Sequence, residues 1–91
     1  MHQSIITADS ILKYASNIQW RNYLKGIVIE PEIALNITAA FIFLQINGED
    51  SIATIAGKLS KQYNISNQEA CDDVIMIVTR LIEDNILHLV K

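Results

Sequence analysis

Few residues in this chain are of types that do covalent or proton chemistry, and their spacing keeps those few apart. His2 lies beside the start and His88 in an apolar tail, and each reads most simply as a surface or incidentally packed imidazole. Cys71 is the single cysteine, which excludes an internal disulfide and, with no companion ligands nearby, a zinc site. It falls among Val74, Val78 and Ile82 at helical spacing, a core position rather than that of a nucleophile. Asp72 and Asp73 are adjacent, so on a helix their side chains diverge by ~100° and do not share a metal ion or a proton. Gly26, Gly48 and Gly57 do not cluster into a phosphate-cradling loop. The expectation is a protein that is not an enzyme, with no metal and no cofactor.

Composition sets the frame for what remains. The 91 residues suffice for one domain, residues 1–91, with one modest core. Hydrophobic residues make up 51% of the chain, yet no apolar run approaches the ~18–20 residues of a membrane span. Met1-His2-Gln3-Ser4 is not the basic, then apolar, start of a secretion signal. A cytoplasmic protein without a membrane partner is expected. The formal charge of −3 argues against nucleic acid.

The elements divide at Asn36. Residues 1–16 read as an irregular lead-in, with Thr7-Ala8-Asp9-Ser10 as a turn. Residues 17–36 read as a sheet: alternation and aromatic or branched residues favour a first strand at 18–23. Leu24-Lys25-Gly26 makes the turn, with glycine expected to take the positive φ. β-Branched residues 27–29 form the second strand, Glu30-Pro31-Glu32 ends it, and residues 33–35 form the third. Residues 37–85 read as three helices. Asn36 is the first cap, with Ile37, Ala40, Phe41 and Leu44 as the apolar stripe and Asn47-Gly48 as a left-handed stop. Ser51 starts the second helix, with Ile52, Ile55, Ala56, Leu59 and Tyr63 on one face and Asn64 at its end. Ser66 and Glu69 form a capping box for the third, which runs to about Asp84. The tail at 86–90 alternates and reads either as a short strand or as a packed extension. The fold class is therefore α+β: a three-stranded antiparallel meander followed by a three-helix bundle, similar to a winged helix-turn-helix.

That likeness raises DNA binding, and the charges oppose it. The third helix carries Glu69, Asp72, Asp73, Glu83 and Asp84 against a single Arg80, a balance that repels a phosphate backbone. Peptide binding is a second reading. Cys71, Val74, Ile75, Val78, Leu81 and Ile82 span an arc of ~120° that should face the bundle, leaving Ile77 and Met76 on either flank. Either flank is a candidate wall for an apolar groove, the plain alternative being that the sheet covers it. The third strand is an edge in a simple meander, open to an added peptide strand or merely blunted by Glu30, Pro31 and Glu32.

Three stretches carry a family resemblance. Leu35-Asn36-Ile37-Thr38-Ala39-Ala40-Phe41-Ile42 resembles the Leu-Asn-x-Thr-Ala-x-x-Ile signature of PqqD-like proteins. Asn47-Gly48 followed by Ser51-Ile52-Ala53-Thr54-Ile55 is similar to that family's glycine and second helix start. Asp73-Val74, then Leu81 and Asn85-Ile86-Leu87, resembles its Asp-Val…Leu…Gly-Leu ending, with Asn85 in place of glycine. The resemblance spans residues 18–89. It implies a non-catalytic adaptor that binds the leader of a ribosomally made precursor peptide as an added strand, between the third strand and the third helix. It then delivers the leader to a maturation enzyme, with the leader peptidase of a lasso-peptide pathway favoured. The alternatives are a partner of a radical peptide-modifying enzyme, as in pyrroloquinoline quinone biosynthesis, and a winged-helix nucleic-acid-binding module. Carried over by position, the peptide-binding residues are Glu32, Ile33, Ala34 and Leu35 on the strand, and Asp72, Asp73, Met76, Ile77 and Arg80 on the helix. Asp73 suits a leader cation or backbone N–H, and Arg80 a carboxylate. The apolar composition also allows a homodimer.

Overall fold

The computed structural model describes residues 6–90, so the readings of His2 and of the first four residues lie outside it. Its elements are β1 (Leu12–Tyr14), β2 (Trp20–Tyr23), β3 (Gly26–Ile29), β4 (Ile33–Leu35), α1 (Ile37–Gln45), α2 (Ile52–Tyr63), α3 (Asn67–Glu83) and β5 (Leu87–Leu89). The antiparallel meander β2-β3-β4 is followed by the three helices, as the residue pattern indicates. The third strand of the sequence reading is β4.

Local hydrogen bonds set the helix starts. Asn36 Oδ1 accepts from the Ala39 N–H at 2.9 Å, Ser51 Oγ from Thr54 and Ser66 Oγ from Glu69. Each side chain satisfies an N–H that the first helical turn would leave without a partner. Asn64 closes α2 at φ 55 and Asn85 follows α3 at φ 62, both left-handed, where asparagine is tolerated best after glycine.

The lead-in departs from expectation. The turn at Thr7–Ser10 forms, but β1 follows it and pairs antiparallel with β5 as a separate two-stranded sheet, Leu12 opposite Leu89 and Tyr14 opposite Leu87. Leu12 and Leu87 are buried. The N–H groups of Ala53 and Ile52 donate to Ala8 and Ser10 carbonyls at 2.9 Å, tying the lead-in to the start of α2. Three residues are too few to show a strand period, and the partner strand comes from the far end of the chain.

Two turns are built differently from their sequence reading. Leu24, not Gly26, takes the positive φ (57) of the β2–β3 loop. Gly26 opens β3, where a Cβ would lie 2.1 Å from the Leu35 carbonyl oxygen, so glycine is required by backbone approach instead. Helix α1 ends at Gln45 with Ile46 extended, before the expected Asn47-Gly48 stop. Gly48 (φ 80) serves the α1–α2 turn, its N–H donating to the Leu12 carbonyl at 3.0 Å.

Helix α1 also presents a different face. Ala39, Ala40, Ile42 and Phe43 are buried, whereas Ile37 and Leu44 are 48% and 49% exposed. Phe43 is fully buried, with the Tyr14 and Trp20 rings at 5.0 and 5.6 Å. Phe41 instead meets Tyr63 edge-on at 5.9 Å. A helix of nine residues without a single charge has no periodic contrast to mark its inner side, and the sheet selects it.

Candidate functional site

Both sides of the β4–α3 region are fixed by short-range features. On the strand side, Ile29 pairs with Ile33, Val28 with Ala34 and Ile27 with Leu35. The approach of Gly26 to Leu35 and the cap at Asn36 set where β4 ends. β4 pairs with β3 along one edge, and among the described residues no strand pairs with its other edge. Glu32 and Ala34 are exposed, Ile33 is partly buried, and Leu35 is buried in the core. Leu35 therefore has only backbone to offer a ligand.

On the helix side, the buried line of α3 is Ala70, Val74, Val78 and Leu81. This line is rotated by roughly 40° from the expected arc, toward Ile77, at ~100° per residue. Cys71, Ile75 and Ile82 are consequently only partly buried. The cause is visible at Cys71, which lines an open cleft of about 420 Å³ beside Ala53, Ala56 and Gly57 of α2. Those small side chains do not cover it.

The rotation brings Ile77 to the margin of the core, with Asp73 partly buried and Arg80 exposed on the same flank. Asp73, Ile77 and Arg80 stand at i, i+4 and i+7, in one row along the helix. Met76, 62% exposed, lies just beside that row. Asp72 is turned away and accepts a hydrogen bond from Gln68 Nε2 at 3.0 Å, a contact within its own helix. Neither Asp73 nor Arg80 has an ion-pair partner among the described residues. Arg21 and Lys58, by contrast, are paired with Glu30 and Asp50.

β4 and α3 both pack against α1 but not against each other: no Cα of one lies within 8 Å of a Cα of the other. The candidate residues thus stand on two walls joined through α1. A strand added to β4 would run ~4.8 Å from it, its side chains alternating between two faces. Sequence reasoning missed a second open cleft, of about 500 Å³, lined by Asn17, Ile18, Gln19, Trp20, Glu30 and Pro31 at the opposite edge of the sheet. No sequence signal marks it: Trp20 reads as an ordinary strand residue, and only the fold leaves it 41% exposed.

Titration is perturbed at two groups away from these walls. Burial pushes the Tyr14 phenol up, and its hydroxyl donates to the Phe43 carbonyl at 2.6 Å. The hydrogen bond from Lys58, then that from Asn47, holds the Asp50 carboxyl below its ordinary value. Among the described residues no group of His, Cys, Asp and Glu is placed to hold a metal ion, and no helix is long and apolar enough to cross a membrane.

An edge-exposed meander beside a capped helical bundle, joined through one helix, defines a small α+β domain with one edge of β4 unpaired among the described residues. Residues 27–87 match the family model described as Coenzyme PQQ synthesis protein D (PqqD), and with roughly two thirds of its length matched the chain belongs to that family. Comparison with curated proteins and with solved structures returned no match. Membership supports, in general terms, the role of a non-catalytic partner protein that binds a precursor peptide and works beside a modifying enzyme.

Proposed function

We propose that the protein is an adaptor that binds the leader of a ribosomally made precursor peptide as an added strand on β4, facing α3, and delivers it to a maturation enzyme. The observation that carries this reading is the β4 edge, unpaired among the described residues in a PqqD-family chain and separated from α3. Main-chain hydrogen bonds to β4 supply affinity, and side chains directed at Asp73, Met76, Ile77 and Arg80 supply selectivity. Glu32, Ile33, Ala34 and Leu35 form the strand wall, Leu35 by backbone alone. Asp72 is peripheral in this reading because Gln68 already engages it.

The favoured enzyme is the leader peptidase of a lasso-peptide pathway. A second reading, a radical peptide-modifying enzyme, is favoured by the family model's own description as a coenzyme synthesis protein. Titration of synthetic leader peptides from ribosomally made precursors, followed by Trp20 emission or calorimetry, tests the binding. Trp20 lies opposite Ile29, itself opposite Ile33, so it shares a cross-strand row with β4. Saturable binding that Ala34→Pro weakens, with the fold intact by circular dichroism, is expected. No binding by any leader would remove the adaptor reading. Pull-down of each enzyme with and without leader then separates the two pathways.

A further inference from the structure

Given the added-strand reading of β4, on which this inference rests, the charges on the helix wall carry information about the peptide that the edge alone does not. Arg80 and Asp73 are at opposite ends of one row, seven residues apart, or ~10.5 Å along the axis. That separation keeps them from pairing with one another, and no other described side chain neutralises either. Between them lie the 62% exposed Met76 and the half-buried Ile77. From the N-terminal end of α3 the wall therefore reads acid, apolar, base.

An extended peptide turns alternate side chains toward this wall, and residues on one face are ~6.8 Å apart. Residues two apart span too little of the row and leave no side chain between them for the apolar centre. Residues four apart span ~13.5 Å, which long charged side chains shorten to the ~10.5 Å of the wall by leaning inward. We propose that the occupant of the groove is a peptide with a basic and an acidic side chain four residues apart on one face, and an apolar side chain midway. The base sits on Asp73, the apolar residue on Met76 and Ile77, and the acid on Arg80. For a strand added to β4 in one direction, one order of the two charges along the peptide is accepted and the reverse rejected, because reversal places like charges together at both ends. The peptide adds in a single direction, since parallel and antiparallel ladders place its backbone differently.

The test is selection of a randomised decapeptide display library against the whole protein, in parallel with an Asp73→Arg/Arg80→Asp double variant. Both residues are solvent-accessible, so the double variant is expected to melt as the parent does. The parent should enrich peptides with the base–x–apolar–x–acid spacing in a single order, and the variant should enrich the opposite order. A synthetic peptide from the enriched set should lose about three- to tenfold in affinity when its two charges are exchanged, as expected for two exposed ion pairs. Its affinity should also fall in high salt. Enriched peptides without that spacing, or bound equally well after exchange, would overturn this inference and leave strand addition standing. Failure to enrich any peptide would overturn strand addition itself, and this inference with it.

Discussion

Replacing Gly26 with alanine tests the joint on which the strand wall depends. Gly26 opens β3, and its φ is not in the left-handed region, so the substitution carries no conformational penalty of its own. The cost is steric. The new Cβ meets the Leu35 carbonyl oxygen at 2.1 Å and its carbonyl carbon at 3.3 Å, with the Asn36 carbonyl carbon at 3.6 Å. Every one of these atoms is backbone, so no flexible side chain can move aside. Restoring a 3.0 Å contact requires the β3–β4 ladder to open by roughly 1 Å at the point where β4 hands over to α1. Overpacking of this kind costs about 1–3 kcal/mol, and rigid neighbours on the strand side place it near the upper end. At ~4–8 °C per kcal/mol for a domain of this size, Tm should fall by about 10–20 °C. Gly57→Ala is the matched control: nothing lies within 4 Å of its added Cβ, and within α2 alanine should stabilise by about 0.5–1 kcal/mol. Thermal and urea melts followed by circular dichroism read both. A Gly26→Ala protein melting within a few degrees of the parent would refute the close approach of the two strands. It would also remove the reason given for a glycine there.

Three further substitutions probe other parts of the molecule. Phe43→Ala empties a fully buried site against the Tyr14 and Trp20 rings and should cost about 3–5 kcal/mol with a red shift in Trp20 emission; a loss under ~1 kcal/mol would contradict the aromatic cluster. Leu24→Gly should raise stability by up to about 1 kcal/mol, because Leu24 is 89% exposed and holds φ 57 with no packing to compensate; a fall in Tm would count against that loop geometry. Asp50 has its folded pKa depressed by Lys58 and Asn47, so its contribution is present above the unfolded pKa and is lost as pH falls through the folded one. The stability gap between the parent and Asp50→Asn should therefore exist at neutral pH and close in acid, and a gap unchanged across that range in denaturant melts would exclude the ion pair as its source.

Parts of the candidate site are legible in the residues and parts are not. Residues 33–35 as an edge follow from a β-rich run between Glu30-Pro31-Glu32 and the Asn36 cap, since each signal acts within a few residues. Asp73, Ile77 and Arg80 share a flank by helical spacing alone. That β4 and α3 do not pack against each other is not legible, because it depends on how both pack against α1, an element whose uncharged residues do not mark an inner side. Asp72 and Asp73 are both candidates by position; the ~100° between them puts Asp72 off the row, and its contact with Gln68 engages it within its own helix.

By itself the chain of residues determined where the three helices begin and where α2 ends. Asn36, Ser51 and Ser66 each bond an N–H three residues on, and Asn64 takes a left-handed turn, all within reach of the local backbone. It also determined the pairing of residues 27–29 with 33–35, because the short turn between them brings the two runs side by side. Tertiary packing settled the rest. The pairing of β1 with β5 joins the two ends of the described chain, and no local pattern announces it. The burial of Phe43 rather than Leu44, and the turn of α3 that leaves Cys71 half-covered, depend on the size of side chains contributed by other elements. Hydrogen-bonded caps are short-range and can be read along the chain, whereas burial depends on neighbours far away in sequence, and those become known only once the chain has folded.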